Sequence, residues 1–135
     1  MGNNGLGIKC NSFSWSCVIG VNSGYNLENQ KMVSEDEFAI RYGKVARKVY
    51  EETGVYISAV ITRSRILYHE EWGCPQNGEY SYTVSGCCNP AFSDPEEYLA
   101  VLKKIAQMLK QEWNQTTLLL EIIPSSAIYF RDTDK

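Results

Sequence analysis

VYISAVITRSRILYHEEWGCPQNGEYSYTVSG, residues 55–86, is the stretch on which the fold turns. Its first half is rich in Val, Ile, Tyr and Thr, whose branched and aromatic side chains favour an extended backbone. Gly73-Cys74-Pro75-Gln76-Asn77-Gly78 follows, and a proline with an Asn-Gly pair is the turn chemistry that joins two antiparallel strands. Tyr80, Tyr82 and Val84 then alternate with Ser81, Thr83 and Ser85, the period of a strand with two unlike faces. The stretch therefore reads as a hairpin, with a long second strand from Val55 to about Glu71 that bends or bulges partway and a third over 79–86. Val55, Ile57, Ala59 and Ile61 share one parity that continues as Arg63, Arg65 and His69, while Ile66 and Tyr68 take the other. A bulge near Thr62 to Ser64 is expected, because without it two arginines would share the core-facing side.

Upstream, Phe13, Trp15, Cys17, Ile19 and Val21 alternate with smaller residues and predict a first strand in which Cys17 is a small buried thiol. Residues 22–33 are polar and read as a loop. Ser34-Glu35-Asp36-Glu37 matches a capping box, and Phe38, Tyr42, Val45, Ala46 and Val49 form the apolar stripe of a helix that Gly54 stops. Downstream, Asp94-Pro95-Glu96-Glu97 supplies an N-cap, a proline at the first helical position and acidic residues in the first turn. The second helix then presents Tyr98, Leu102, Ile105, Ala106, Leu109 and Trp113. Thr116 to Ile123 predicts a fourth strand, Pro124-Ser125 a break, and Ala127 to Arg131 either a short additional edge strand or a segment that packs on a partner. The order strand, helix, strand, strand, helix, strand is that of an α+β, ferredoxin-like split β-α-β sandwich. Its four-stranded antiparallel sheet carries both helices on one face and leaves the other face open.

The chain has 135 residues, 44% of them hydrophobic and 21% charged, which suits a single domain over 1–135 with a flexible N-terminus at 1–11. Thirteen basic against 16 acidic residues give no field to attract duplex DNA or an anionic membrane. No apolar run reaches membrane-spanning length, and the Gly/Asn-rich start lacks a secretory pattern, so a cytoplasmic location is expected. Five cysteines, an odd count without C-x2-C spacing, and one histidine argue for reduced thiols and against a structural zinc site. Asn89 to Ser93 separates Cys87 and Cys88 from the second helix, which favours a structural role over a reactive thiol.

On the sheet face opposite the helices, the long second strand is expected to bring Arg63, Arg65, Tyr68 and His69 near Tyr80 and Tyr82 across the hairpin. Guanidinium groups fork onto phosphate or carboxylate and tyrosines stack on a base or sugar, so this set suits a nucleotide-like anion. Asn22-Ser23-Gly24-Tyr25-Asn26 follows the first strand where phosphate-binding loops occur, and Asn22 and Tyr25 join the expected contacts. That loop lacks G-x4-G-K-[ST], and the chain holds no G-x-S-x-G, H-E-x2-H or paired-carboxylate signature. The plainer reading is that the arginines balance Glu70, Glu71 and Glu79 across the hairpin.

The helix start Val33-Ser34-Glu35-Asp36-Glu37-Phe38, the long hairpin, the amphipathic helix and the last strand resemble small bacterial ferredoxin-like domains of unassigned function. The likeness covers residues 17–130. The chain is also similar, in size and in lacking catalytic motifs, to small phage proteins that sequester nucleotide immune signals. The resulting expectation is a homo-oligomeric, non-enzymatic binder of a small anionic, nucleotide-derived ligand, a phage anti-defence sponge without cofactor or metal. Two readings stay open beside it. One is a small dimeric ferredoxin-like enzyme with His69 as acid or base; the other is a protein-interaction module using the open sheet face.

Overall fold

The computed structural model describes residues 8–25 and 27–132. Its elements are β1 (Ile8–Gly20), α1 (Glu35–Thr53), β2 (Val60–Ile66), a 3-10 turn (Glu70–Trp72), β3 (Glu79–Cys87), α2 (Pro95–Glu112) and β4 (Leu120–Tyr129). The four strands form one sheet in the order β2-β3-β1-β4, every neighbouring pair antiparallel. This is the ferredoxin-like α+β sandwich that the order of elements predicts.

Local signals explain the helices. The Ser34 hydroxyl accepts from the Glu37 amide, and Gly54 closes α1 in the left-handed conformation. Asp94 does for α2 what Ser34 does for α1, accepting from the Glu97 amide with Pro95 just behind it. Their apolar stripes meet Trp15, Cys17 and Ile19 of β1 and Tyr82 and Val84 of β3 in one core, so both helices cover the same sheet face. Phe38 is its centre, stacked between Tyr82 (centroids 4.5 Å apart) and Trp113 (5.0 Å). Two buried polar ends find partners, the Trp15 indole donating to the Tyr98 hydroxyl and the Tyr42 hydroxyl to the Ile57 carbonyl, whereas the buried Trp113 indole N–H has no hydrogen-bond acceptor among the described residues.

Three local expectations require correction. The second strand occupies only 60–66; Val55 and Ile57 are buried beneath the helices but lie outside the ladder. No bulge interrupts that strand, which pairs residue for residue from Val60 opposite Ser85 to Ile66 opposite Glu79. Arg63 and Arg65 therefore share the helix-side face with Tyr82 and Tyr80. They remain exposed because β2 is an edge strand. Finally, Pro124 does not break the last strand: β4 runs through it, opposite Phe13, and no separate C-terminal strand forms among the described residues. β4 is the other edge, where a residue without an N–H is tolerated because one row of backbone groups faces no strand. β1 begins at Ile8, inside the segment assigned above to a flexible terminus, while residues 1–7 lie outside the described residues. Among the described residues no helix is long and apolar enough to cross a membrane.

Candidate active site

The sheet face opposite the helices carries Ser14, Ser16, Val18 and Gly20 of β1 beside Glu79, Ser81 and Thr83 of β3. The register dictates this set, since partners directly opposite share a face. At the end where β1 stops and β3 starts, a cleft of about 420 Å³ opens on this face. Tyr25, Tyr68 and Trp72 supply aromatic walls, Val18 and Ile66 an apolar one, and the segment Gln115 to Leu119 the remaining side. The volume is in the range of pockets that hold a drug-sized or nucleoside-sized molecule.

Glu79 is the charged group of this cleft, and it is 5% exposed. Its Oε2 accepts a 2.6 Å hydrogen bond from the Tyr68 hydroxyl, whereas Oε1 accepts none among the described residues. A buried carboxylate with one oxygen committed and one open is poised for a positively charged or hydrogen-donating ligand group. Burial, then the bond to Glu79 and its negative charge, push the Tyr68 phenol well above its ordinary range. Tyr68 is consequently a hydrogen-bond donor at any physiological pH, not a base. Its ring meets Tyr25 edge-on at 6.2 Å.

Gly20 makes the floor. A Cβ there would lie 2.7 Å from Gln115 Oε1, too close unless that carboxamide shifts, and 3.4 Å from Glu79 Oε1, an ordinary contact, so glycine is what lets the Gln115 oxygen approach the end of β1. The Gln115 amide is oriented by donating to the carbonyls of Asn22 (2.9 Å) and Trp113 (3.0 Å). Gly78, with φ of 84° and no room for a Cβ beside the Ile66 carbonyl, sets the turn that delivers Glu79.

Of the residues singled out from sequence, Tyr25 and Tyr68 line this cleft. Arg63, Arg65, Tyr80 and Tyr82 gather instead around a crevice of about 30 Å³ on the helix side of the sheet. There Arg65 lies over the Tyr80 ring and donates to the Asn77 carbonyl, while Tyr82 is buried against Phe38 and donates to the Val33 carbonyl. His69 caps the 3-10 turn, its Nδ1 accepting from the Glu71 amide. Asn22 ties the loop 22–31 shut by donating to the Lys31 carbonyl and accepting from the Lys31 amide. Sequence reasoning missed Glu79, Gly20, Trp72 and Gln115 as site residues. A signal existed for Glu79, the single carboxylate on the β3 parity otherwise occupied by Ser81, Thr83 and Ser85.

The fold and this cleft define a ferredoxin-like domain with a ligand-sized site on its uncovered sheet face. The family model described as SAM lyase matches residues 12–131, and the chain belongs to that family. Two solved structures share the fold. A phage SAM lyase in complex with S-methyl-5'-thioadenosine is 16% identical, with a TM-score of 0.59 over 87% of this chain and 89% of that one. A phage SAM lyase in its apo state is 15% identical, with a TM-score of 0.60 over 90% and 94%. No curated protein matches the chain significantly. Membership in a lyase family overturns the expectation of a non-enzymatic, anti-defence sequestering protein and favours the enzyme alternative. The resemblance to small ferredoxin-like domains holds for the fold, and both matching solved structures are phage proteins, but the family is SAM lyase and not a signal-sequestering one. The physical reason for the error is that a lack of nucleophile, metal and phosphate-loop signatures is not a lack of catalysis, since a site can be assembled by strand register from residues that form no local motif.

Proposed function

We propose that the chain, as one domain, is a lyase that cleaves S-adenosylmethionine and releases S-methyl-5'-thioadenosine. One observation carries this reading in a member of the SAM lyase family: the buried Glu79, held by Tyr68, turns a free carboxylate oxygen into an aromatic-walled cleft. The substrate bears two positive centres, a sulfonium and an α-ammonium, and Glu79 supplies the opposite charge. Tyr25, Tyr68 and Trp72 offer ring faces for the adenine and for the sulfonium.

Sulfonium is already an excellent leaving group, so the protein needs neither a nucleophile nor an acid. The substrate's own α-carboxylate attacks its γ-carbon and a C–O bond forms as the C–S bond breaks. The electron pair leaves on sulfur, giving the neutral thioether and a five-membered aminolactone, with no water consumed and no net proton transfer. The contribution of the cleft is geometric: pairing the ammonium with Glu79 holds the flexible tail curled, which converts a rare conformer into the bound one. The ammonium keeps its charge throughout, so this contact is preserved in the transition state.

The test is incubation of the purified protein with the substrate in 18O-water, with products read by mass spectrometry. S-methyl-5'-thioadenosine and a lactone free of solvent oxygen are expected. Glu79→Gln should lower turnover at low substrate by roughly 100-fold, the scale of losing a buried charge partner. Absence of thioadenosine product, or full activity in Glu79→Gln, would sink the proposal. The exposed apolar residues Val18 and Leu119 at the cleft and Ile123 further along the same sheet face support a homo-oligomer as part of the same reading, checked by sedimentation velocity.

A further inference from the structure

Strand β1 ends at Gly20, paired with Ser81, and its last ladder-like contact is the Val21 amide donating to the Tyr80 carbonyl. Beyond that point no strand lies on the β1 side of residues 78–80, yet the backbone groups there are not left to water. The Gln30 carboxamide takes the vacant place: Nε2 donates to the Gly78 carbonyl at 3.0 Å and Oε1 accepts from the Tyr80 amide at 2.9 Å. A planar group with one donor and one acceptor mimics the peptide unit that a longer β1 would have supplied.

We propose that Gln30 is a positioning residue for Glu79, resting on the lyase reading of the cleft. The two groups it holds belong to the residues on either side of Glu79, whose own backbone is paired to Ile66 of β2 on the opposite edge. Glu79 is thus gripped from both sides although it is the first residue of its strand and follows a glycine in the left-handed conformation. Gln30 lies outside the cleft and acts only through what it holds. It also joins the two walls of the site. The segment that carries it is closed by the Asn22 and Lys31 hydrogen bonds and presents Gly24 and Tyr25 to the cleft, while β3 presents Glu79. Loss of the brace frees the start of β3 to move by a fraction of an ångström, and displacements of about 1 Å at such groups cost up to roughly 100-fold in rate.

Steady-state cleavage of S-adenosylmethionine is to be compared for wild type, Gln30→Ala, Gln30→Glu, Glu79→Gln and the double variant Gln30→Ala/Glu79→Gln. Thermal midpoints and amide exchange at Tyr80 are recorded alongside. Gln30→Ala should lower kcat by roughly 10- to 100-fold with a smaller change in KM, shift the midpoint by only a few degrees, and speed exchange at Tyr80. Gln30→Glu keeps the acceptor for Tyr80 but sets a carboxylate against the Gly78 carbonyl. It should also lose kcat while retaining Tyr80 protection, and it replaces the alanine variant if that one fails to fold. The double variant should be no slower than Glu79→Gln alone, because a residue that works through Glu79 has nothing left to position. Where Glu79→Gln turnover is too slow to read, the same cycle is measured as affinity for an uncleavable thioether analogue of the substrate that keeps the α-ammonium, S-adenosylhomocysteine. Wild-type kcat in both Gln30 variants, or losses that multiply in the cycle, would overturn the inference. If wild type itself releases no thioadenosine product, the lyase reading falls. The brace is then judged by exchange alone, with unchanged Tyr80 protection in Gln30→Ala refuting it.

Discussion

At the scale of single residues, the cleft depends on side chains that are either missing or held. Gly20→Ala would place a methyl group against the Gln115 carbonyl oxygen, the end of a flexible side chain that can retreat. Stability should therefore change by less than about 1 kcal/mol, the usual range for a relieved contact, whereas ligand affinity should drop as the floor rises. Calorimetry with S-methyl-5'-thioadenosine checks this against a thermal melt of the same variant. Tyr68→Phe keeps the ring and removes only the donor to Glu79, so a loss of roughly tenfold in turnover is expected, smaller than for Glu79→Gln. Cys17 offers a pH test away from the cleft. Burial pushes its thiol from 9.0 up to about 11, so the folded chain holds a proton that the unfolded chain has released in that window. The unfolded state then binds fewer protons, and stability falls as pH rises from about 9 to 11 while remaining untouched below it, by at most roughly 2–3 kcal/mol. Denaturant midpoints at pH 8 and pH 10 should diverge less in Cys17→Ala than in wild type.

At the scale of elements, what was legible in the sequence is what is encoded locally. Ser34, Gly54, Asp94 and Pro95 mark the helix ends within a turn of where they act, and Asn77-Gly78, both at positive φ, mark the turn immediately before β3. Ser34→Ala should cost about 1 kcal/mol through the orphaned Glu37 amide, read as a shift in denaturant midpoint. Register is different in kind, because it depends on which residue of β2 meets which residue of β3. The expected bulge at 62–64 came from assuming that the helices cover the whole of β2. An edge strand that outruns its cover needs no such device, and the arginines simply reach water. The site was legible only in part for the same reason. Tyr25 and Tyr68 could be picked as aromatic residues near strand ends, but Gly20, Glu79 and Gln115 converge through pairings between segments dozens of residues apart, which no local pattern records.

At the scale of the whole molecule, Phe38 ties three parts together, lying between Tyr82 of β3 and Trp113 at the end of α2 while belonging to α1. Phe38→Ala should cost about 3–5 kcal/mol, a large share of the stability of a domain of this size, and chemical denaturation should show it directly. Paired arginines on an exposed strand suggested an anion, but the cleft lies on the reverse of the sheet and its buried charge is negative. The proline within β4 carries a further consequence. An outermost strand of this length is a template onto which another molecule's strand can zip, beginning the growth of insoluble fibrils. Removing one amide hydrogen midway along that margin spoils the template without disturbing the inner seam. Pro124→Val should then leave the monomer fold intact yet make the protein scatter light sooner on gentle heating.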